Sequence, residues 1–372
     1  MKSNLALKNG RIYSGYKILE NKSILIENET IVGIVQDDDI PSHYEVYDAE
    51  GAIICPGLID LQIYGTGNDL FSSELNHTSL ESIEKNLLKQ GCTSYMLTLA
   101  TNTLEVFSQA IQIFKEVNPK VALGIHLEGP FLNPSKRGAH PEELIQKATV
   151  DKLKSVIEGN ESIVRMMTIA PELTDQECID YLNSVEILIT AGHSAATFEE
   201  ATHSFNNGVA AVTHLWNAMS PLHHRNVGLP GAAFNHSEVC ASIIVDGIHV
   251  DFQAVKISKQ AMKERLFLIT DAVAACQRGI YQHVLNNDHY VLPDGTLSGS
   301  AISLLKAIKN CVEHVGIPLD EAIRMATLYP ARLIKRTDIG QLEDGTLANI
   351  LVFDEEFKVK TVFFKGEKIN DL

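Results

Sequence analysis

The chain has no Cys-x-x-Cys pair: its six cysteines, Cys55, Cys92, Cys178, Cys240, Cys276 and Cys311, stand far apart. Such scatter reads as reduced core thiols rather than a disulfide framework, which points to the cytoplasm. Long apolar runs are missing too, since none approaches the ~20 residues needed to cross a bilayer. The start MKSNLALKNG lacks the basic flank, apolar segment and small-residue cleavage site of a secretory signal, so neither a leader nor a membrane partner is expected. Basic residues are in deficit, with 31 Lys and Arg against 47 Asp and Glu and a net charge of −16. That balance disfavours nucleic acid or an anionic membrane as partner, although a local basic pocket can still hold a small anion. A glycine-rich phosphate loop is absent as well. Gly295-Thr-Leu-Ser-Gly-Ser300 matches neither G-x-G-x-x-G nor the Walker pattern and by itself reads as a surface turn. No internal repeat or low-complexity segment is present.

What the chain does have is four apolar runs, each ending in a candidate metal ligand or acid/base. They are Leu123-Gly-Ile-His-Leu-Glu-Gly-Pro130, Ile187-Leu-Ile-Thr-Ala-Gly-His-Ser194, Ala211-Val-Thr-His-Leu-Trp-Asn217 and Leu266-Phe-Leu-Ile-Thr-Asp-Ala272. An apolar run that ends on a polar residue reads as a buried parallel strand whose carboxyl end opens into a loop, where barrel enzymes place their chemistry. Glu128, His193, His214 and Asp271 are thus candidates for one site. Two imidazoles and a carboxylate suit a catalytic divalent metal with a position open for water, and a further Asp suits the base that takes the water's proton. The expectation is a metal-dependent hydrolase.

Eight strands are expected in the middle of the chain: residues 58–62, 94–99, 122–128, 164–170, 187–191, 211–215, 242–245 and 266–270. Helix-period segments, such as 79–90 and 104–117, lie between several of them. Strands alternating with helices imply parallel crossovers, and eight such units make a (β/α)8 TIM-like barrel the leading α/β fold, ahead of an open doubly wound sheet. The 372 residues fit a ~250-residue barrel plus a small extra domain. Residues 3–54 and 346–369 both alternate β-rich runs with turns, and neither could bury a β face alone. The inferred organisation is a discontinuous β-sandwich domain from 1–54 and 345–372, and a hydrolase barrel over 55–344.

Each polar residue also has an ordinary reading. His193 or His214 taken singly is more often a packed or surface histidine. Glu128 precedes Gly129-Pro130, where an unpaired carboxylate near the interior costs several kcal/mol, so a metal or a buried basic partner must explain it. Asp271 has the alternative of a helix N-cap. His126 shares a strand face with Glu128 by two-residue alternation, so spacing does not exclude it as a ligand.

The motifs HLEGPFLNPSKRGAH, APE, AGHSAAT, THLWNAMSP, DGIHVD, LITDA, LSGS and MATLYPAR, in this order, closely resemble the N-acetylglucosamine-6-phosphate deacetylases of the amidohydrolase superfamily. The resemblance spans nearly the whole chain and is specific as a set. It implies one divalent metal ion per chain on Glu128, His193 and His214, with zinc expected and iron, manganese, cobalt or nickel as alternatives. Asp271 then moves the proton and His140 polarises the acetamide carbonyl, with Ala139 beside it at the sugar. Asn217 and Ala218 match a backbone pair that holds the substrate. His249 and Arg225 match the phosphate grip, the arginine reaching across a homodimer. Leu297, Ser298 and Gly299 match a loop closing on the substrate. His126 is not a ligand in the resembled family.

Many amidohydrolases open the barrel with His-x-His and bind a second metal, whereas this chain reads Asp60-Leu-Gln-Ile-Tyr64. Gln62 stands where the first histidine is expected. Its uncharged amide is a poor transition-metal ligand but can hydrogen-bond the metal's water, which resembles the single-metal branch. The implied reaction converts N-acetylglucosamine 6-phosphate to glucosamine 6-phosphate and acetate. Two alternatives remain: the same chemistry on another N-acyl amino-sugar phosphate such as N-acetylgalactosamine 6-phosphate, and an inactive barrel used as a binding protein.

Overall fold

The eight expected strands are present in the computed structural model, which describes residues 4–369. They pair in sequence order within one parallel sheet: Leu58–Ile63, Cys92–Ala100, Ala122–Glu128, Val164–Ile169, Leu188–Ala191, Ala211–Val212, Cys240–Ile243 and Leu266–Leu268. The chain just after the last strand returns to the first. Asp271 N–H donates to Gln62 O at 3.0 Å, and Tyr64 N–H to Ala272 O at 2.9 Å, which closes the sheet into a (β/α)8 barrel.

Local chemistry explains the elements. All nine residues of Cys92–Ala100 are buried, as a parallel strand covered on both faces requires. The following helix, Leu104–Val117, starts where the Thr103 hydroxyl accepts the Val106 N–H and ends at left-handed Asn118. Its apolar stripe buries Phe107, Ala110, Ile111, Ile113 and Phe114. Full burial of Phe107 alone contributes about 1.5–3 kcal/mol. Thr197 and Glu200 form a reciprocal capping box at Phe198–Asn206. The sixth strand stops at Val212, three residues earlier than the apolar pattern suggests. There the chain turns at His214, whose N–H goes to Ser242 Oγ at 2.8 Å instead of to a ladder carbonyl.

The chain divides into two compact units. One contains the described residues of Met1–Asp60, Lys85–Ser94 and Ser303–Leu372, and the other contains Leu61–Glu84 and Tyr95–Ile302. In the first, both chain ends share a six-stranded sheet, with Ile350–Phe353 antiparallel to Ile53–Pro56. A four-stranded sheet of Asn4–Lys8, Lys22–Glu27, Thr30–Gln36 and Glu45–Asp48 packs on it. Leu7, Ile24, Ile26 and Ile31 of the smaller sheet meet Ile12, Ile54, Ile350, Val352 and Phe363 of the larger in one buried cluster, a β-sandwich core. The second unit holds every residue of the site described next.

Candidate active site

Three residues just past the barrel strands have left-handed backbones although none is glycine: His193 (φ 47°), His214 (φ 34°) and Asp271 (φ 54°). Each such conformation costs about 1–3 kcal/mol and persists only where its surroundings impose it. The glycines beside them are dictated by space. A Cβ on Gly192 would lie 2.7 Å from Thr168 Cγ2 and 2.9 Å from Thr213 Cβ, and one on Gly129 would lie 2.3 Å from Thr101 Oγ1. The Gly before His193 and the Gly after Glu128 therefore let neighbouring strands approach at the level of the site.

The Glu128 carboxylate is the hub, 2% exposed. Its Oε1 lies 3.0 Å from His214 Nε2, 3.3 Å from His193 Nε2 and 3.0 Å from Gln62 Nε2. Its Oε2 takes a hydrogen bond from the Tyr64 phenol and lies 3.2 Å from His140 Nε2. Gln62 Nε2 also reaches Asp271 Oδ1 at 2.7 Å and Tyr64 OH at 2.9 Å, linking the carboxylate, the phenol and the Asp. Burial alone would raise the Glu128 pKa, but His193, His140 and His214 outweigh it and hold the carboxyl well below the usual range. Asp271 goes the other way, pushed up first by burial and further by the Glu128 charge. Burial, helped by His140, lowers His193 to about 4 and keeps it neutral near pH 7. His214 is raised because Glu128 overcomes the burial effect.

Hydrogen bonding separates His193 from His140. Glu128, His140 and His193 form a buried group close enough to hold a metal ion. His193 Nδ1 lies 2.9 Å from Lys136 O, which only accepts, so Nδ1 carries the proton and Nε2 offers a lone pair. His140 is the reverse. Its Nδ1 accepts the Thr101 N–H at 3.3 Å and its Nε2 faces the acceptor Glu128 Oε2 at 3.2 Å, so Nε2 carries a proton and is a poor metal ligand. His214 fits the ligand set better, with its Nε2 3.1 Å from His193 Nε2 and 3.0 Å from Glu128 Oε1. Two imidazole nitrogens and a carboxylate oxygen separated by 3.0–3.3 Å match three corners of a tetrahedral site, whose ~2.0–2.1 Å bonds imply edges of about 3.3–3.4 Å. The residues thus fit a divalent metal. His126 lies one layer deeper, 2.7 Å from Thr168 Oγ1 and lowered to about 4 by burial.

A cavity of about 370 Å³ opens above this cluster. Ala139, His140, Asn217, Ala218, His249, Asp271, Leu297, Ser298 and Gly299, all proposed from sequence, line it. Gln62 sits behind the wall, 1% exposed. Arg225 does not line the cavity of its own chain and is exposed. His249 is oriented by Asp246, whose Oδ2 lies 2.6 Å from Nδ1 and whose Oδ1 accepts the Ile248 and His249 N–H groups. Burial would raise the Asp246 pKa, but His249 and these N–H groups hold it below the ordinary value.

Sequence reading missed Tyr64, Thr101, Asp246, Tyr281 and His283. Tyr64 had a signal, two residues after Gln62 and so on the same strand face. Asp246 had one in its i,i+3 spacing to His249. His283, which lines the cavity with Nδ1 2.9 Å from Ser298 Oγ, lies on a segment with no regular period to read.

The amidohydrolase family model matches residues 53–369, and the NagA composite domain matches residues 5–54. An N-acetylglucosamine-6-phosphate deacetylase of Haemophilus influenzae is 35% identical over 377 residues, covering 97% of this chain and 98% of the relative. The crystal structure of N-acetylglucosamine-6-phosphate deacetylase from Pasteurella multocida superposes with TM-score 0.95 at 32% identity, over 99% of this chain and 100% of that one. A variant of the Mycobacterium smegmatis deacetylase, solved in complex with N-acetyl-D-glucosamine-6-phosphate, gives TM-score 0.92 at 27% identity over 98% and 99% of the two chains.

Proposed function

Because this chain belongs to the amidohydrolase family, and within it to the N-acetylglucosamine-6-phosphate deacetylases, we propose that it hydrolyses N-acetylglucosamine 6-phosphate to glucosamine 6-phosphate and acetate. The observation that carries the reading is the meeting of Glu128 Oε1, His193 Nε2 and His214 Nε2 within 3.3 Å of one another, with Asp271 tied to the same carboxylate through Gln62.

In this reading Glu128, His193 and His214 hold one divalent ion per chain, and zinc suits the two imidazoles and one carboxylate. Such an ion supplies Lewis-acid polarisation and lowers the pKa of water from about 15.7 toward about 7. Asp271 takes the proton of the attacking water. His140 donates from Nε2 to the acyl oxygen as negative charge develops there. A C–O bond forms, the C–N bond breaks, and Asp271 returns its proton to the departing amine nitrogen. Gln62 keeps Asp271 and Glu128 in register from behind.

The cavity lining supports a reading of the sugar end. Ala139, Asn217 and Ala218 contact the substrate, and the Leu297–Gly299 segment closes over it. His249, oriented by Asp246, faces the phosphate. Arg225, exposed in its own chain, completes the phosphate grip from the partner subunit of a homodimer, where guanidinium supplies paired charge-assisted hydrogen bonds. The scattered thiols suit the cytoplasm, and no helix among the described residues is long and apolar enough to cross a membrane. The test is acetate release from N-acetylglucosamine 6-phosphate. Release abolished by a chelator and restored by added zinc is expected, whereas undiminished release from verified metal-free protein refutes the metal-dependent reading.

A further inference from the structure

We propose that Tyr281 is a positioning residue that acts through Thr101 to hold His140 as the tautomer donating from Nε2. This deepens the deacetylase reading and rests on its assignment of His140 to the acyl oxygen.

Tyr281 lies between Asp271 and the Leu297–Ser300 strand, buried in a cluster with Tyr64, Ala100 and Val273. Its phenol donates to Thr101 O at 2.8 Å, a contact between residues 180 positions apart. Burial first, and the Glu128 charge second, push the phenol's pKa well above its ordinary value, so it remains a donor. Thr101 follows the second barrel strand and meets His140 twice. Its N–H donates to Nδ1 at 3.3 Å, and its hydroxyl lies 2.8 Å from the same atom. A backbone N–H has no lone pair, so Nδ1 can only accept from it. Its other nitrogen, Nε2, faces Glu128 Oε2 at 3.2 Å at the cavity wall, and a carboxylate oxygen only accepts, so both contacts place the ring proton on Nε2. The Tyr281 ring also meets the imidazole edge-on, with centroids 6.3 Å apart.

The consequence is chemical. A His140 ring that exchanged tautomers would present a lone pair to the acyl oxygen for part of the time, and two lone pairs repel where a donor is needed. Anchoring Thr101 through its carbonyl restrains the residue whose N–H and hydroxyl face Nδ1. The Tyr281 phenol and the group that polarises the carbonyl are thereby joined by one buried chain of contacts.

Tyr281→Phe removes the hydroxyl and keeps the ring. In the zinc-loaded enzyme it should retain its metal, leave KM within about twofold, and lower kcat by roughly 2- to 10-fold, the worth of one net hydrogen bond. Nitrogen-15 NMR of labelled histidines reads the relay directly: His140 should show a protonated Nε2 in the native enzyme and mixed tautomers in the variant. Thr101→Val, which keeps the N–H and loses the hydroxyl, should fall between the two. Unchanged His140 nitrogen shifts in Tyr281→Phe overturn the relay whatever the turnover, as does a loss of turnover that tracks loss of metal. Full turnover by His140→Asn would instead remove the assignment of His140 to the carbonyl, while the nitrogen shifts would still decide the Tyr281–Thr101 link.

Discussion

Replacing Tyr64 with phenylalanine removes one oxygen atom from behind the proposed metal ligand and leaves the ring to fill the same space. In the native chain that phenol donates to Glu128 Oε2, and burial together with the charges of Glu128 and Asp271 pushes its pKa well above the ordinary value, so it stays protonated. Without it, the other donor placed on Oε2 among the described residues is His140 Nε2 at 3.2 Å, and Tyr64 is only 7% exposed, which leaves little room for a replacement water. A hydrogen bond to a charged group is worth about 1.5–3 kcal/mol, and outer-shell partners of metal ligands typically affect affinity by about 10- to 100-fold. Part of that energy fixes which oxygen faces the imidazoles, because a carboxylate released at Oε2 is free to rotate. The metal dissociation constant of Tyr64→Phe should therefore rise about 10- to 100-fold. The fold should persist, since the ring still packs against Leu70, Ala100 and Val273. Competition with a chromogenic chelator measures the affinity, and circular dichroism checks the fold. A folded Tyr64→Phe protein that binds zinc within about twofold of the native chain would refute the argument that the phenol holds Glu128 for the metal.

Asp271→Asn should keep its metal and its fold while turnover drops about 10²- to 10⁴-fold, because an amide cannot shuttle a proton; near-native turnover would reduce Asp271 to a cap. Asp246→Asn should raise KM for the phosphorylated sugar about tenfold, the lower end for a charge-assisted hydrogen bond, with a smaller effect on unphosphorylated N-acetylglucosamine; equal effects on both sugars would separate His249 from the phosphate. Arg225→Ala should show the same preference, and mixing it with Asp271→Asn protein should restore some activity, since a mixed dimer holds one site with both groups intact. No recovery in verified mixed dimers would exclude the cross-subunit arginine.

Several features of this protein were local enough to read directly. Apolar runs bounded by polar residues marked all eight barrel strands, because a buried parallel strand must be apolar on both faces wherever it lies in the chain. Glu128, His193, His214 and Asp271 were legible as candidates because each stands at or just past the end of such a run. The same periodicity could not say where a strand stops. The sixth ends at Val212 because Ser242, on the next strand, takes the His214 N–H. Nor could it separate His126 from the site, since alternation gives a face and not a depth.

Only the tertiary structure decided which atom does what. Glu128 offers Oε1 to the imidazoles because Tyr64 and His140 take Oε2. His193 exposes a lone pair because Lys136 O accepts the hydrogen bond of its one ring N–H, and His140 exposes a proton because the Thr101 N–H takes its lone pair. Residue type states what a side chain can donate or accept, and local pattern states which face it occupies. The partner that uses one lone pair and leaves the other is set by close approach between distant segments, as with Gln62 and Asp271, 209 positions apart and 2.7 Å from atom to atom.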